Sequence, residues 1–286
     1  MANESGELIG IVGVGRMGRA IAKHLMKHRY RVIAQDIDGK AMEAARAAGA
    51  RTVATPAELG KEARFVIVAV GYDDEAAAVM LDKGGLLETM APGSVVAVSS
   101  TCTPDHVKML AARAAAKTVE LLDAPICRGQ RAADEGTMLS LCGGKPAIFE
   151  RALPILKTYS ADVVHLGDVG AGQFGKALNN FLLWVNGIAL IEAGRLSEAN
   201  GMDLVKLRDT LLISSGASDA LKNWDNVSFT WALKDMQIVS KMADKAGLAL
   251  PIVGTIKELV KDGLRIKRSN PPDWTGRNKR SPAPRA

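Results

Sequence analysis

Residues 8–36 read LIGIVGVGRMGRAIAKHLMKHRYRVIAQD, and their order decides the fold. Leu8 to Val14 is an apolar run that closes on glycines, the mark of a strand buried on both faces. Met17 to His28 then repeats apolar residues at helical spacing. Arg31–Gln35 makes a second short strand that ends on Asp36. Between strand and helix, Gly13, Gly15 and Gly18 are spaced G-x-G-x-x-G. Gly13 suits a tight turn, Gly15 lets backbone approach a pyrophosphate, and Gly18 lets helix and strand pack closely. The helix start supplies N–H donors and the positive end of its dipole. Val14, Arg16 and Met17 lie in the same loop and complete the cofactor-binding set. An acid 18 residues after Gly18, at the end of the second strand, makes the pattern specific. Asp36 can bind both ribose hydroxyls of an adenosine and would repel a 2′-phosphate. Ile37 follows it where a phosphate would want arginine, so NAD is expected over NADP. The competing reading, that Asp36 merely opens the DIDG turn, is weakened because Asp38 and Gly39 already serve that turn.

The same alternation continues outward. Lys40 to Ala48 is helical by composition. Phe65 to Val70, Ser94 to Val98, Val119 to Asp123, Met138 to Cys142 and Asp162 to Leu166 are further strands, with helical segments among them. Strands alternating with helices predict an α/β fold with a doubly wound parallel sheet of Rossmann type. After Gly167 the pattern changes. One long apolar-periodic helix covers Gly172 to Asn200. Leu204–Leu212, Trp231–Ala246 and Pro251–Asp262 are helical too. The expected division is a Rossmann domain over 1–166, an all-α substrate and oligomerisation domain with the long connecting helix over 167–266, and a basic, loose tail over 267–286.

Bulk composition bounds the function. The 286 residues are 48% hydrophobic and only 4% aromatic, which predicts an aliphatic core. The net charge of +6 could suggest nucleic acid. However, seven of the 37 basic residues lie from Arg265 onward against one acid, Asp273, which leaves 30 of each sign before it. The body is neutral, so nucleic acid is not an expected partner, and the tail reads as solvated. Cys102, Cys127 and Cys142 have no C-x-x-C spacing and imply no disulfide framework or metal site. MANESGEL lacks a signal pattern, and the longest apolar run is too short to span a bilayer. A soluble, cytoplasmic protein without membrane partners is expected.

Two motifs beyond the glycine loop carry candidate chemistry. In GAGQFGKALNN, Lys176, Asn179 and Asn180 share one face of the long helix. A lysine and two amides on an otherwise apolar helix are unusual, although a snorkelling lysine is the bland alternative. In LKDMQIVSKMADKAGLALP, Lys234–Asp235 heads another helix. Asp235 there reads as a surface residue favoured by the helix dipole.

Together, GVGRMGRAIAKHL, SSTCTP, DAPICRGQRAADEGTM, GAGQFGKALNN and LKD occur in this order and span the chain to about residue 265. In this the sequence resembles the β-hydroxyacid dehydrogenases, which include 3-hydroxyisobutyrate, tartronate semialdehyde and sulfolactaldehyde reductases or dehydrogenases. The resemblance implies that Lys176 is the catalytic lysine and that Asn180 positions substrate or lysine. Lys234 would lie beside the nicotinamide, and Ser100 and Thr101 near both nicotinamide and substrate. Residues 127–129 would form the substrate-anion loop. It further implies a small anionic substrate and a homodimer or homotetramer. As an ammonium, Lys176 could protonate the carbonyl oxygen during reduction; as an amine, it could take the hydroxyl proton during oxidation.

The sequence departs from that family's pattern at three places. The anion loop, usually Ser-Gly-Gly, is Cys127–Arg128–Gly129. The Leu-Pro after the fourth strand is Val70–Gly71–Tyr72–Asp73, which alters the nicotinamide-side wall at Val70. Val98 replaces a frequent aspartate. Arg128 offers a planar fork of donors, so it is expected to bind a substrate anion, a second carboxylate or a sulfonate. The alternative has Arg128 facing solvent or paired with Asp134 or Glu135. Cys127 reads as a small packing residue, since no histidine is placed to activate it. Other functions compatible with the pattern are imine reduction, whose enzymes commonly lack the lysine, and a non-catalytic nucleotide-binding regulator.

Overall fold

A computed structural model describes residues 6–277. The basic residues Lys279, Arg280 and Arg285 therefore lie outside the described residues. The strands are β1 (Leu8–Val12), β2 (Arg31–Gln35), β3 (Arg51–Thr52), β4 (Phe65–Val68), β5 (Val95–Val98), β6 (Glu120–Asp123), β7 (Ile126–Cys127), β8 (Met138–Gly143) and β9 (Ser160–Gly167). The helices among them are α1 (Arg16–Lys27), α2 (Gly39–Ala47), α3 (Pro56–Glu62), α4 (Asp73–Leu81), α5 (Pro104–Ala115), α6 (Gly129–Glu135) and α7 (Pro146–Leu156). The sheet runs in the order β3-β2-β1-β4-β5-β6-β8-β7, with β9 on β8.

From β3 to β6 all pairings are parallel. The doubly wound sheet expected from the glycine loop is present, and its far edge departs from it. There β8 runs antiparallel to β6 and β7, while β9 runs parallel to β8. The two-residue strands β3 and β7 are too short to give a periodic signal.

The continuous apolar runs are explained by burial of both faces. Ile9, Ile11, Phe65, Ile67, Val95 and Ala97 join the core under α1. The intervening Val12, Val66, Val68, Val96 and Val98 join a second core with Leu59, Met80 and Leu110. Neighbouring residues of a strand point to opposite faces, so each run feeds both layers.

The chain divides into two compact units, Met1–Lys176 and Ala177–Ala286. The boundary falls ten residues beyond the one expected at 166, because the long helix α8 (Ala171–Ala199) starts inside the first unit. The N–H groups of Gly170, just before the helix, and of Gln173 within it donate to the Asp123 carboxylate at 2.8 Å each. The second unit adds α9 (Leu204–Leu212), α10 (Asp219–Lys222), α11 (Ala232–Ala246) and α12 (Pro251–Ser269). No strand occurs among its described residues. Its core holds Trp184, Ile188, Trp224, Phe229, Met236 and Trp274.

The expected loose tail is corrected for its described part. Residues 267–269 complete α12. Beyond them Trp274 is fully buried and its indole N–H donates to Leu190 O at 3.1 Å. Pro272 O accepts from the Trp224 indole at 3.0 Å. Pro272 also sits so close to Gly194 that a Cβ there would meet it at 2.3 Å. Composition marked this segment polar, but one large aromatic with a cavity to fill outweighs its neighbours. No described helix is long and apolar enough to cross a membrane.

Candidate active site

The glycine loop has the geometry its spacing implies. Gly13 adopts φ +89°, and a Cβ there would lie 2.5 Å from Ala69 O. A Cβ on Gly18 would stand 1.9 Å from Gly13 O, so the helix–strand approach requires glycine. Gly15 is the residue before α1, and nothing lies within 4 Å of where its Cβ would be. That open space above a helix start, with unpaired N–H groups beneath, fits a dinucleotide pyrophosphate. Asp36, half-buried at the end of β2, accepts from Val14 N at 2.7 Å and from Asp38 N at 2.9 Å. Its carboxylate is thereby oriented before any ribose arrives, and each oxygen keeps a lone pair for a hydroxyl. Asp38 caps α2 through Lys40 N, as the turn reading required. Arg16 is exposed and donates to Gln130 Oε1 at 3.1 Å, while Met17 packs on the core.

The turns after β4 and β5 are joined. Ser100, buried, accepts from Val70 N at 2.8 Å. Thr101 beside it is half-buried. Asp73 accepts from the backbone and hydroxyl of Thr103, which ties the altered Val70–Asp73 segment to the start of α5.

One residue that sequence reasoning missed holds this turn from behind. Gln173, fully buried on α8, accepts from Cys102 N at 3.0 Å and donates to Ser100 O at 2.7 Å. Burial raises the Asp123 carboxyl to about 6 despite its backbone donors. Burial and the nearby Asp123 push the Cys142 thiol up to about 12, so it is an inert packing group.

The anion loop differs from expectation. Cys127 is buried and pairs with Leu139 in the antiparallel edge. Arg128 takes the left-handed conformation, φ +81°, and Gly129 follows at φ +70°. The Arg128 guanidinium pairs with Asp162 at 2.6 Å and donates to Thr137 O at 3.1 Å. It is therefore not a free fork, and its acid is neither Asp134 nor Glu135. Asp134 accepts from Gln130, and Glu135 faces Arg131 at 3.7 Å. The cause is the edge topology. It lays β9, which carries Asp162, next to β8 and hence beside the loop that returns through β7.

On α8, Lys176 is half-buried and follows Gln173 by three residues. Asn180 is buried. Its amide donates to Asp235 Oδ2 at 2.8 Å and accepts from Asn179 at 3.0 Å. The Trp184 indole donates to the same Asp235 oxygen at 2.9 Å. The surface reading of Asp235 is thus overturned: it is 4% exposed and orients Asn180. Lys234 lies half-buried with its ammonium 5.8 Å from the Trp231 ring centre. The first unit thus carries Gly13–Gly18, Asp36, Val70, Ser100, Thr101, the 127–129 loop and Lys176. Asn180 and Lys234 belong to the second.

Comparison with known proteins agrees with this geometry. Residues 8–167 match the model of the NAD binding domain of 6-phosphogluconate dehydrogenase. Residues 170–270 match the domain described as NAD-binding of NADP-dependent 3-hydroxyisobutyrate dehydrogenase. The chain is 32% identical to a probable mitochondrial 3-hydroxyisobutyrate dehydrogenase of Dictyostelium discoideum, covering 75% of this chain and 67% of that one. It is 33% identical to an NAD-dependent L-serine dehydrogenase of Pseudomonas aeruginosa, covering 75% and 72%. The crystal structure of 3-hydroxyisobutyrate dehydrogenase from Salmonella typhimurium superposes with a TM-score of 0.80 at 26% identity, over 90% of this chain and 93% of that one. An imine reductase of Myxococcus stipitatus shares the fold alone, with a TM-score of 0.65 at 17% identity over 93% and 96%. Family models matched along both units, and relatives more than 30% identical over three quarters of the chain, have one consistent reading: the chain belongs to the β-hydroxyacid dehydrogenase family and is an NAD-dependent hydroxyacid dehydrogenase.

Proposed function

We propose that this enzyme interconverts a small acidic β-hydroxyacid with its aldehyde or ketone, and that Lys176 moves the proton. The observation that supports this best is the arrangement at the start of α8. Gln173 is hydrogen-bonded on both sides of Thr101, and Lys176 follows it three residues later on the same helix. NAD, when bound, supplies the hydride acceptor. Oxidation removes a hydride from the carbinol carbon and a proton from its oxygen; Lys176 as an amine accepts that proton, and as an ammonium returns it in reduction. Thr101 offers a hydroxyl to the same substrate. Asn180, held by Asp235, is assigned the amide role, and Lys234 the cofactor-side role, that the family resemblance implies.

Arg128 is assigned a second carboxylate or a sulfonate of the substrate. Its pair with Asp162 is about half exposed on both sides, and such pairs are worth at most about 1 kcal/mol. A substrate anion can therefore compete for the guanidinium. Exposed Leu248, Leu250 and Ile252 suit a homodimer or homotetramer interface. Cys102, Cys127 and Cys142 are buried and form no disulfide, which suits the cytoplasm.

The test is an NAD-linked assay over small hydroxyacids, dicarboxylates and sulfonates with wild type and Lys176→Ala. The variant is expected to lose about 10²- to 10⁴-fold in kcat while still binding NADH. Unchanged turnover in Lys176→Ala would remove the lysine from the chemistry.

A further inference from the structure

We infer that Gln173, backed by Asp123, is a positioning residue that fixes the root of Lys176 relative to the turn around Thr101. The inference rests on the reading above, in which Lys176 and Thr101 serve one substrate.

Glutamine seldom lies fully buried, because each polar group then needs a partner. Gln173 is fully buried and uses both ends of its amide. Its Oε1 takes the N–H of Cys102, and its Nε2 gives to the carbonyl of Ser100. Those partners determine the amide's orientation, since one is a donor and the other an acceptor. The two bonds bracket Thr101. Ser100 in turn receives Val70 N on its hydroxyl, so the clamp reaches the turn after β4.

The other side of the clamp is equally fixed. Gln173 N and Gly170 N both donate to Asp123 at 2.8 Å. A Cβ on Gly172 would lie 2.4 Å from Leu141 O, and one on Gly143 would lie 2.5 Å from Asp123 Oδ1. The first turn of α8 therefore sits against β8 with no room to shift. Lys176 follows Gln173 by about 4.5 Å of helix rise and about 60° short of a full turn. The amine's root is thus set by Gln173, independently of the second unit. A leucine at 173 would fill the same space but leave Cys102 N and Ser100 O without their partners, freeing the turn.

A packing role alone would make Gln173→Leu less stable and leave turnover intact. Positioning predicts more, because a misplacement near 1 Å costs on the order of 10²-fold in rate. The full chain is compared as wild type, Gln173→Leu, Gln173→Glu and Lys176→Ala, with the best hydroxyacid from the assay above. In Gln173→Leu, kcat is expected to fall about 10²-fold, with NADH affinity little changed. Amide exchange in the peptide covering 99–103 is expected to rise roughly tenfold, as a local protecting bond is lost. Gln173→Glu keeps the acceptor for Cys102 N but loses the donor to Ser100 O when ionised, and should fall between the two.

Wild-type kcat in Gln173→Leu, with or without faster exchange, overturns the inference. Should that variant fail to fold, wild-type kcat in Gln173→Glu overturns it instead. Lys176→Ala separates the two readings. Full turnover there refutes the proton-transfer role, whereas a dead Lys176→Ala beside a fully active Gln173→Leu refutes the clamp alone.

Discussion

The loop Gly13–Gly18 and the loop Cys127–Gly129 each carry the chain from a strand into a helix, and each needs a residue with positive φ. In the first, glycine is obligatory: at Gly13 and Gly18 any Cβ would meet backbone oxygen, at 2.5 Å and 1.9 Å. In the second, Arg128 occupies the left-handed region at φ +81°, where a non-glycine residue costs about 1–2 kcal/mol. Contacts of its own side chain, to Asp162 and Thr137 O, hold it there. A loop shaped by close backbone approach cannot vary. A loop whose space is open can accept a large side chain, together with a new ion pair. Nothing lies within 4 Å of a Cβ on Gly129, so the second loop has the room that the first lacks.

Changes at both loops test that contrast. The largest effect is expected for Gly18→Ala: its methyl cannot coexist with Gly13 O, so NADH affinity, read by fluorescence titration, should collapse. Retained affinity would show that the first loop is as tolerant as the second.

A smaller effect concerns Asp123, which ends the strand feeding the second loop. Its carboxyl is raised from 3.8 to about 6 by burial, so the folded state favours the protonated form. Its contribution to stability is full below about pH 3.8 and is lost as pH rises through about 6. Two pKa units correspond to roughly 3 kcal/mol. Denaturant midpoints of wild type should therefore fall over that window relative to Asp123→Asn, whose profile lacks the step.

The smallest change in stability is expected for Arg128→Gly. Loss of an exposed ion pair and a more flexible unfolded chain oppose the relief of left-handed strain, which leaves a net change within about 1 kcal/mol. Its functional signature is selective: kcat/KM should drop for dicarboxylate and sulfonate substrates and hold for monocarboxylates. An equal drop for both would return Arg128 to a purely structural part.

Much of this was legible in the sequence where a signal is local. The glycine spacing with Asp36 set the nucleotide half, and the apolar runs marked every strand long enough to have a period. What escaped depends on partners far away in the chain. Asp235 at a helix start resembles a dipole-favoured surface acid, whereas donors more than 50 residues upstream, Asn180 and Trp184, show it as a buried acceptor. Gln173 carries no spacing pattern, because its partners are backbone groups 71 and 73 residues away. Asp162 reaches Arg128 through the pairing of edge strands, which composition does not reveal.

The burial of Trp274 limits how this chain can be shortened. Trimming at residue 267, the natural choice for probing the basic segment, would also strip the indole from beside Leu190 and the carbonyl from Trp224. Any loss of affinity in such a truncation would then report a damaged helical core rather than missing charge. Neutralising substitutions at Lys279, Arg280 and Arg285, which leave the Lys267 contacts with Trp224 in place, would keep the two effects apart.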